Sequence, residues 1–156
     1  MYRQRAGEDA RAGGLEVFLA HPGGPLFAKK DAGAWTIPKG EPNPDEDLLL
    51  CARREFEEET GLRPDAAAYL PLGDVRQAGG KTVYAWAFEG DWCDRELVCN
   101  HVEMEWPPRS GRRHTFPEID RVGFFSLEQA REKLNPAQVA LLDRLLARLA
   151  QAAPNG

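Results

Sequence analysis

The stretch GEPNPDEDLLLCARREFEEETGL, residues 40 to 62, determines how the rest of the sequence is interpreted. It predicts a helix on which Glu58 lies about 60° to one side of Glu55 and Glu59 about 40° to the other, so that the three carboxylates share one face. Like charges at this spacing repel one another and destabilise an isolated helix. The pattern therefore indicates that these carboxylates are either fully solvated or bind a cation.

The same helix has recognisable ends and an apolar side. Asn43-Pro44 or Asp45 supplies the predicted N-cap, and Gly61 supplies the C-terminal stop. Arg54 can hold the carboxylates of the helix by charge-assisted hydrogen bonds, with Glu46 as a further candidate partner. Apolar residues recur at spacings of three and four and predict packing against a sheet. These residues are Leu48, Leu49, Ala52 and Phe56.

The order of these residues matches a known pattern. Five residues separate Gly40 from Glu46, and seven more lead to Arg54-Glu55; an apolar residue, one residue, Glu58-Glu59, one residue, Gly61 and an apolar residue follow. This arrangement resembles the Nudix box at every defined position. Chance agreement at so many fixed identities is far rarer than about one in a million. The resemblance is therefore specific, although it covers only this short part of the chain.

The resemblance implies a hydrolase that cleaves phosphoanhydrides with the help of Mg²⁺ or Mn²⁺. In that interpretation Glu55, Glu58 and Glu59 bind the metal together with the backbone carbonyl of Lys39. The predicted catalytic group is Glu55, Glu58 and Arg54, with Glu55 as either a metal ligand or the general base. Carboxylates suit such hard ions, which also take phosphate oxygens as ligands.

Members of the family often add a carboxylate from a downstream segment. The best match is Glu118, which precedes the segment IDRVGFFS, and Glu103 and Glu105 are the rivals. A solvated acid is the alternative interpretation of each one.

Basic and aromatic residues outside the box are candidates for binding the substrate. Lys39 and the pair Arg112-Arg113 are the predicted phosphate contacts. Trp35 is the predicted stacking partner of a nucleoside, and Trp106 and Phe116 are further candidates, with core or loop packing as the alternative for each.

The segment WTIPKGE is similar to that of Nudix enzymes that cleave dinucleoside polyphosphates. Dinucleoside polyphosphates or nucleoside triphosphates are therefore the first expected substrates, while compounds of the ADP-ribose type and diphosphoinositol polyphosphates stay open. The alternative function is a non-catalytic Nudix-like module that binds a nucleotide and regulates a partner. Such a module would be expected to lose glutamates of the box, and this sequence retains all of them.

The chain has 156 residues, 42% of them hydrophobic, which predicts a flexible leader at 1–14 and a single domain at 15–152. The resemblance implies an α/β fold, a Nudix-type α/β/α sandwich with a mixed β-sheet, in which the box helix and the C-terminal helices lie on opposite sides. It also implies a first strand, which is here either short or formed by the leader. Strands are predicted at 15–21, 35–38, 69–76, 81–88, 101–106 and 119–125, and a loop at 107–118.

A capping box at Ser126 and Gln129 predicts a helix, and Asn135-Pro136 begins a second one. The second helix carries a stripe of leucines at positions 141, 142, 145, 146 and 149. Core packing is the expected role of this stripe, and the seam of a homodimer is the alternative.

The net charge of −5 argues against non-specific binding to nucleic acid or to an anionic membrane. No stretch approaches the length of a membrane span, and the odd number of cysteines, three, fits a reducing compartment. We therefore expect a soluble, cytoplasmic protein whose partner is a small nucleotide or related polyphosphate.

Overall fold

The computed structural model describes residues 1–5, 14–92 and 97–152. In chain order its strands and helices are β1 (Tyr2–Gln4), β2 (Leu15–Pro22), α1 (Leu48–Thr60), β3 (Leu70–Arg76), β4 (Thr82–Ala87), β5 (His101–Glu105), β6 (Arg113–Pro117), β7 (Ile119–Ser126), α2 (Leu127–Lys133), a short 3-10 helix (Pro136–Gln138) and α3 (Ala140–Ala152). None of the helices in these parts of the chain is long and apolar enough to cross a membrane.

Strand β2 lies at the centre of the main sheet and pairs antiparallel with β1 and β7. Strands β3 and β4 form an antiparallel hairpin. Tyr2 joins the two units in the parallel sense, because its N–H donates to the carbonyl of Phe88 (2.9 Å) and its carbonyl accepts from the N–H of Gly90 (3.0 Å). The predicted mixed sheet is therefore confirmed.

Helix α1 covers one face of this sheet through an aromatic cluster. The ring of Phe18 on β2 lies 5.9 Å from that of Phe56 on α1, and Phe56 lies 5.2 Å from Phe88. The residues on either side of Phe18 belong to the cluster on the opposite face, because successive side chains of a strand point to opposite sides. This explains why β2 is apolar along most of its length.

The C-terminal helices cover the other face. Leu141, Leu142 and Leu145 of α3 are buried in one cluster with Val17 and Leu19 of β2. Three of the five leucines in the predicted stripe thus belong to the core of the domain. The α/β/α arrangement expected from the resemblance is confirmed, with α1 on one side and α2 and α3 on the other.

The prediction of a flexible leader is wrong for its first part. Tyr2 is buried and pairs with Val17, so the segment forms a short strand between β2 and the end of the β3–β4 hairpin. Arg3 is held in this strand by Glu16, to which its Nε donates at 2.7 Å. Polar composition hid the strand because only one of its three residues faces the core. The rest of the proposed leader, residues 6–13, lies outside the described residues.

Three further local predictions need correction. The N-cap of α1 is Asp47, not Asn43-Pro44 or Asp45, since Asp47 is the residue whose side chain accepts the first free N–H groups of the helix. The segment 107–118 is not all loop, because Arg113–Pro117 forms β6 and pairs with β5 from His101↔Pro117 to Glu105↔Arg113. At 35–38 only single bridges form, one of them Ala20↔Thr36.

Candidate active site

Both ends of helix α1, which carries the acidic face, are fixed by capping hydrogen bonds. Oδ1 of Asp47 accepts the N–H groups of Leu49 (3.0 Å) and Leu50 (3.1 Å). At the other end Gly61 takes a φ of 70°, which allows its N–H to donate to the carbonyl of Glu57 at 2.7 Å. The helix therefore begins and ends at defined residues, and the carboxylates keep a fixed direction relative to the sheet.

Arg54 lies at the centre of the carboxylate face. Its Nε and Nη2 each donate to one oxygen of Glu46 at 2.8 Å, a bidentate pair. Its Nη1 donates to Glu55 (2.7 Å) and to Glu58 (3.1 Å). One guanidinium therefore holds three acidic side chains, which offsets the repulsion that their spacing would otherwise cause.

The charges of this group are strongly coupled. The Arg54 guanidinium, followed by the N–H of Asn43, lowers the pKa of Glu46 to about 2. Glu46 and then Glu55 raise the pKa of Arg54 above its usual value. The pair is thus ionised throughout the neutral range, and the described geometry gives Arg54 a positioning role toward Glu55 and Glu58.

Gly40 brings the preceding loop onto the helix. A Cβ atom at Gly40 would lie 1.9 Å from the carboxyl carbon of Glu55, so a larger residue here would displace the end of that side chain. Glycine therefore lets the backbone approach the Glu55 carboxylate in its present position.

Glu59 is the buried member of the acidic face, with 8% of its surface exposed. Its Oε2 accepts the N–H of Lys39 at 2.9 Å. Burial is the largest cause that raises the pKa of Glu59 to about 7; the charges of Glu118 and Glu55 act in the same direction, and Lys39 opposes them. Ionised Glu59 is therefore costly in the absence of a neighbouring cation.

The structure favours Glu118 over its rivals as the additional acid. The carbonyl of Glu118 accepts from Gly23 N (2.9 Å), its N–H donates to the carbonyl of Asn100 (2.8 Å), and its charge raises the pKa of Glu59. Glu103 instead pairs with Arg113, and Glu105 accepts the N–H of Gly111. Sequence analysis did not identify Gly23 as part of the site, because the sequence marks it only as a turn residue. A Cβ atom there would lie 1.9 Å from the carbonyl oxygen of Pro117, so glycine allows this close approach of the two backbones.

The donor set fits a hard divalent ion. Among the described residues, no three His, Cys, Asp or Glu side chains already surround one point in the manner of a preassembled metal site. The available donors are nevertheless carboxylate oxygens, and the raised pKa of Glu59 is the feature that a bound cation would reverse. The carboxylates that would hold such an ion are those of Glu55, Glu58, Glu59 and Glu118, and the backbone carbonyl of Lys39 stays a predicted further ligand.

The prediction that Trp35 stacks on a nucleoside is wrong. Trp35 is 4% exposed, and its Nε1 donates to Asp31 at 2.7 Å. Its ring contacts that of Phe125 edge-on at 4.8 Å, and the ammonium of Lys133 lies 5.4 Å from it. Trp35 is therefore a core residue that joins the segment before the box to β7 and α2.

The predicted phosphate contacts lie in different places. Lys39 is part of the loop against Glu59, and its charge opposes the rise of the Glu59 pKa. Arg112 and Arg113 are exposed at the far end of β6 from Glu118. About 16 Å of extended strand separates Arg113 from Glu118, so closeness in sequence is not closeness in space.

Comparisons with known proteins agree with this geometry. A family model described as "NUDIX domain" matches residues 10–145. The chain is 57% identical over 52 residues to the mRNA-decapping protein g5R of African swine fever virus, covering 32% of this chain and 21% of that protein. It is 41% identical over 71 residues to an RNA pyrophosphohydrolase of Erythrobacter litoralis, covering 42% of this chain and 38% of that protein. The matches thus span well under half the length of these relatives.

Solved structures share the fold. A binary complex of a C. elegans Ap4A hydrolase superposes with a TM-score of 0.66 at 22% identity, covering 96% of this chain and 94% of that one. The E. coli ORF135 protein superposes with a TM-score of 0.55 at 22% identity, covering 99% of this chain and 90% of that one. Because the family model spans most of the residues and the structural likeness extends over nearly the whole chain, this protein belongs to the NUDIX domain family.

Proposed function

We propose that this protein is a pyrophosphohydrolase that depends on Mg²⁺ or Mn²⁺ and cleaves a phosphoanhydride bond in a nucleoside diphosphate linked to a further group. The observation that carries the proposal is the environment of Glu59, which is buried, has a pKa raised to about 7, and lies beside further acids. A purely structural acidic face would be solvated, whereas this one is enclosed at Glu59 and ordered by Arg54.

The residues of the site have different roles in the proposed hydrolysis, according to their positions. When bound, a divalent ion neutralises the polyphosphate and polarises the phosphorus atom that water attacks. Glu55 and Glu58 are both held by Nη1 of Arg54 and are the candidates to accept the proton of that water. Lys39 and Gly40 place the backbone of the preceding loop against Glu59 and Glu55.

The substrate proposal starts from the WTIPKGE segment and from the relatives. Dinucleoside polyphosphates and nucleoside triphosphates remain the first candidates, and the names of the two curated relatives add the 5′ end of RNA. Within the described part of the chain Cys51 and Cys99 are free thiols, which supports the proposed location in the cytoplasm. Homodimer formation remains a prediction.

The alternative is a nucleotide-binding module without catalysis, and one experiment separates the two. The protein is incubated with ATP, a diadenosine polyphosphate, ADP-ribose, a diphosphoinositol polyphosphate and a 5′-triphosphorylated RNA, with Mg²⁺, Mn²⁺ or EDTA, and the products are resolved. We expect cleavage between two phosphorus atoms with a metal and none with EDTA. Binding without turnover across the whole panel would favour the regulatory module.

A substitution at Glu59 links the activity to this site. We expect Glu59→Gln to reduce kcat about 100-fold or more while the protein stays folded, because it removes a charge but keeps the acceptor of the Lys39 N–H. Circular dichroism checks the fold of the variant. Unchanged turnover would place the active site elsewhere.

A further inference from the structure

Strands β5 and β6 form a ribbon that, among the described parts of the chain, pairs with no other strand. The ribbon begins beside Glu118, which follows the last residue of β6. Its pairing sets Val102 opposite Phe116 and Met104 opposite His114. Directly opposed residues share a face of the ribbon. Each face can therefore be assigned from the register.

One face, which we call the ring face, combines aromatic and apolar side chains with one cation. The N–H of Trp106 donates to the carbonyl of Arg112 at 2.9 Å, so that this pair continues the ladder beyond Met104 and His114. The ring face consists of Val102, Met104, Trp106, Arg112, His114 and Phe116.

The opposite face has a different chemistry. It carries Glu103, Glu105 and Arg113, and Nε of Arg113 forms an ion pair with Glu103 at 2.5 Å. The ring face has no acidic side chain among its six residues. Negative charge is therefore confined to one side of the ribbon, and the other side is open to an anionic ligand.

The rings follow one another away from Glu118. The ring centroids of Phe116 and His114 are 6.2 Å apart with planes at 39°, and Trp106 lies beyond them. Side chains two residues apart on a strand are separated by about 6.6 Å, so the ribbon offers flat surfaces at regular intervals. Gly24 lies against the base of this face, where a Cβ atom would be 3.8 Å from Sδ of Met104 and 3.8 Å from Cβ of Phe116, and Phe116 is partly exposed. His114 and Arg112 are exposed and Trp106 is partly exposed.

We propose that the ring face binds the first unpaired nucleotides of an oligonucleotide whose 5′ polyphosphate lies at Glu118 and the carboxylates of α1. Successive bases stack on Phe116, His114 and Trp106, which is a contact that tolerates any sequence. Arg112 pairs with a phosphodiester between them. The inference rests on the proposed function, because it identifies the further group of the substrate, beyond the cleaved phosphoanhydride, as an oligonucleotide.

The number of rings on the ribbon and the net charge of the chain distinguish an oligonucleotide from a dinucleoside polyphosphate as the ligand. Three rings in a row exceed what the single second nucleoside of a dinucleoside polyphosphate can cover, and an oligonucleotide covers all of them. The net charge of the whole chain is −5, so the phosphodiester backbone alone is held weakly. Binding therefore requires both the 5′ polyphosphate and unpaired bases.

The first test compares two substrates in steady-state kinetics, a 5′-triphosphorylated single-stranded RNA of about six nucleotides and ATP. We expect Trp106→Ala to raise the ratio of KM for the RNA to KM for ATP about tenfold, and Trp106→Phe to restore it. Thr115→Ala, an exposed position on the opposite face, is the matched control and leaves the ratio unchanged. An unchanged ratio in Trp106→Ala would overturn the assignment.

A binding measurement makes the test independent of turnover. Anisotropy of the same RNA, labelled at its 3′ end and carrying a non-hydrolysable 5′ polyphosphate, is recorded in Mg²⁺ with the wild type, Trp106→Ala and His114→Ala. Weaker binding by both variants, and loss of binding when the RNA is base-paired at its 5′ end, supports the ring face. Equal affinity in all three proteins would contradict it, even if the panel of nucleotides were hydrolysed. Equal effects of the substitutions on diadenosine tetraphosphate and on RNA would assign the face to a single nucleoside and overturn the oligonucleotide.

Discussion

Arg54 shows how much of this site depends on a single side chain. Its guanidinium uses both edges: one edge makes the bidentate contact with Glu46, and the remaining donor reaches Glu55 and Glu58. A lysine ammonium keeps the charge but lacks the planar fork that makes these contacts at once. The exact placement of two candidate catalytic carboxylates therefore requires arginine at this position.

We expect Arg54→Lys to reduce kcat about 10- to 100-fold with little change in KM, because Glu55 and Glu58 lose their common anchor while the charge is kept. Arg53→Lys is the matched control, since Arg53 lies over the ring of Tyr69 and does not contact these acids. Steady-state kinetics of both variants provides the comparison. Equal loss in both would indicate a general effect on the helix.

Glu59 links the site to the stability of the fold. Its pKa is raised from 4.5 to about 7 in the folded protein, chiefly by burial. Because the pKa of Glu59 is higher in the folded state, protonation of Glu59 favours folding. This contribution to the free energy of unfolding is complete below the unfolded-state pKa and is lost as the pH rises through 7. The full effect is about 3 kcal/mol at most, reached when Glu59 is ionised in the folded state.

In EDTA, Glu59→Gln should therefore be more stable than the wild type at about pH 9, and the two should converge near pH 4. Thermal unfolding across this range measures the difference, and Glu57→Gln, an exposed neighbour, is the control. A divalent metal should raise the Tm of the wild type at high pH more than that of Glu59→Gln, because it compensates the buried charge. A difference independent of pH would show that Glu59 ionises as freely as an exposed glutamate.

At the scale of elements, sequence patterns predicted the box helix well and the ribbon badly. Gly61 and Phe56 of α1 are local signals that the structure confirms, but Leu48 of the predicted apolar face is exposed, and Cys51 is buried in the helix instead. The N-cap was misassigned because several turn-forming acids precede the helix, and only the fold decides which of them, Asp47, reaches the free N–H groups. Strand β6 was missed because it lacks a core face, since its residues are exposed or only partly buried.

The cap itself gives a prediction for the stability of α1. We expect Asp47→Ala to lower the free energy of unfolding by about 1 kcal/mol, because the N–H groups of Leu49 and Leu50 lose their acceptor. Asp47→Asn keeps an acceptor oxygen and should stay close to the wild type. Urea denaturation of the three proteins measures the difference, and equal values for alanine and asparagine would show that Asp47 does not act as the cap.

At the scale of the whole molecule, the fold brings Glu118 close enough to helix α1 for its charge to raise the pKa of Glu59. The backbone of Glu118 is hydrogen-bonded to Gly23, next to the end of β2, and to Asn100, and the position of Glu118 is thereby fixed. The sequence could identify the acids of the box because they lie on one helix. It could not establish the role of Trp35 or the separation of Arg113 from Glu118, because burial and strand direction depend on long-range packing.

The central claim is that the acidic face of α1 carries out phosphoanhydride hydrolysis, and two adjacent residues test it. Glu58 points to the Arg54 side of the helix, whereas Glu57 is exposed about 100° away. Each substitution to glutamine removes one negative charge from the same turn. Turnover of the best substrate from the nucleotide panel, measured with Mg²⁺ in both variants, should fall about 100-fold or more in Glu58→Gln and stay at the wild-type value in Glu57→Gln. Equal turnover in the two variants would contradict the assignment of the active site to this face.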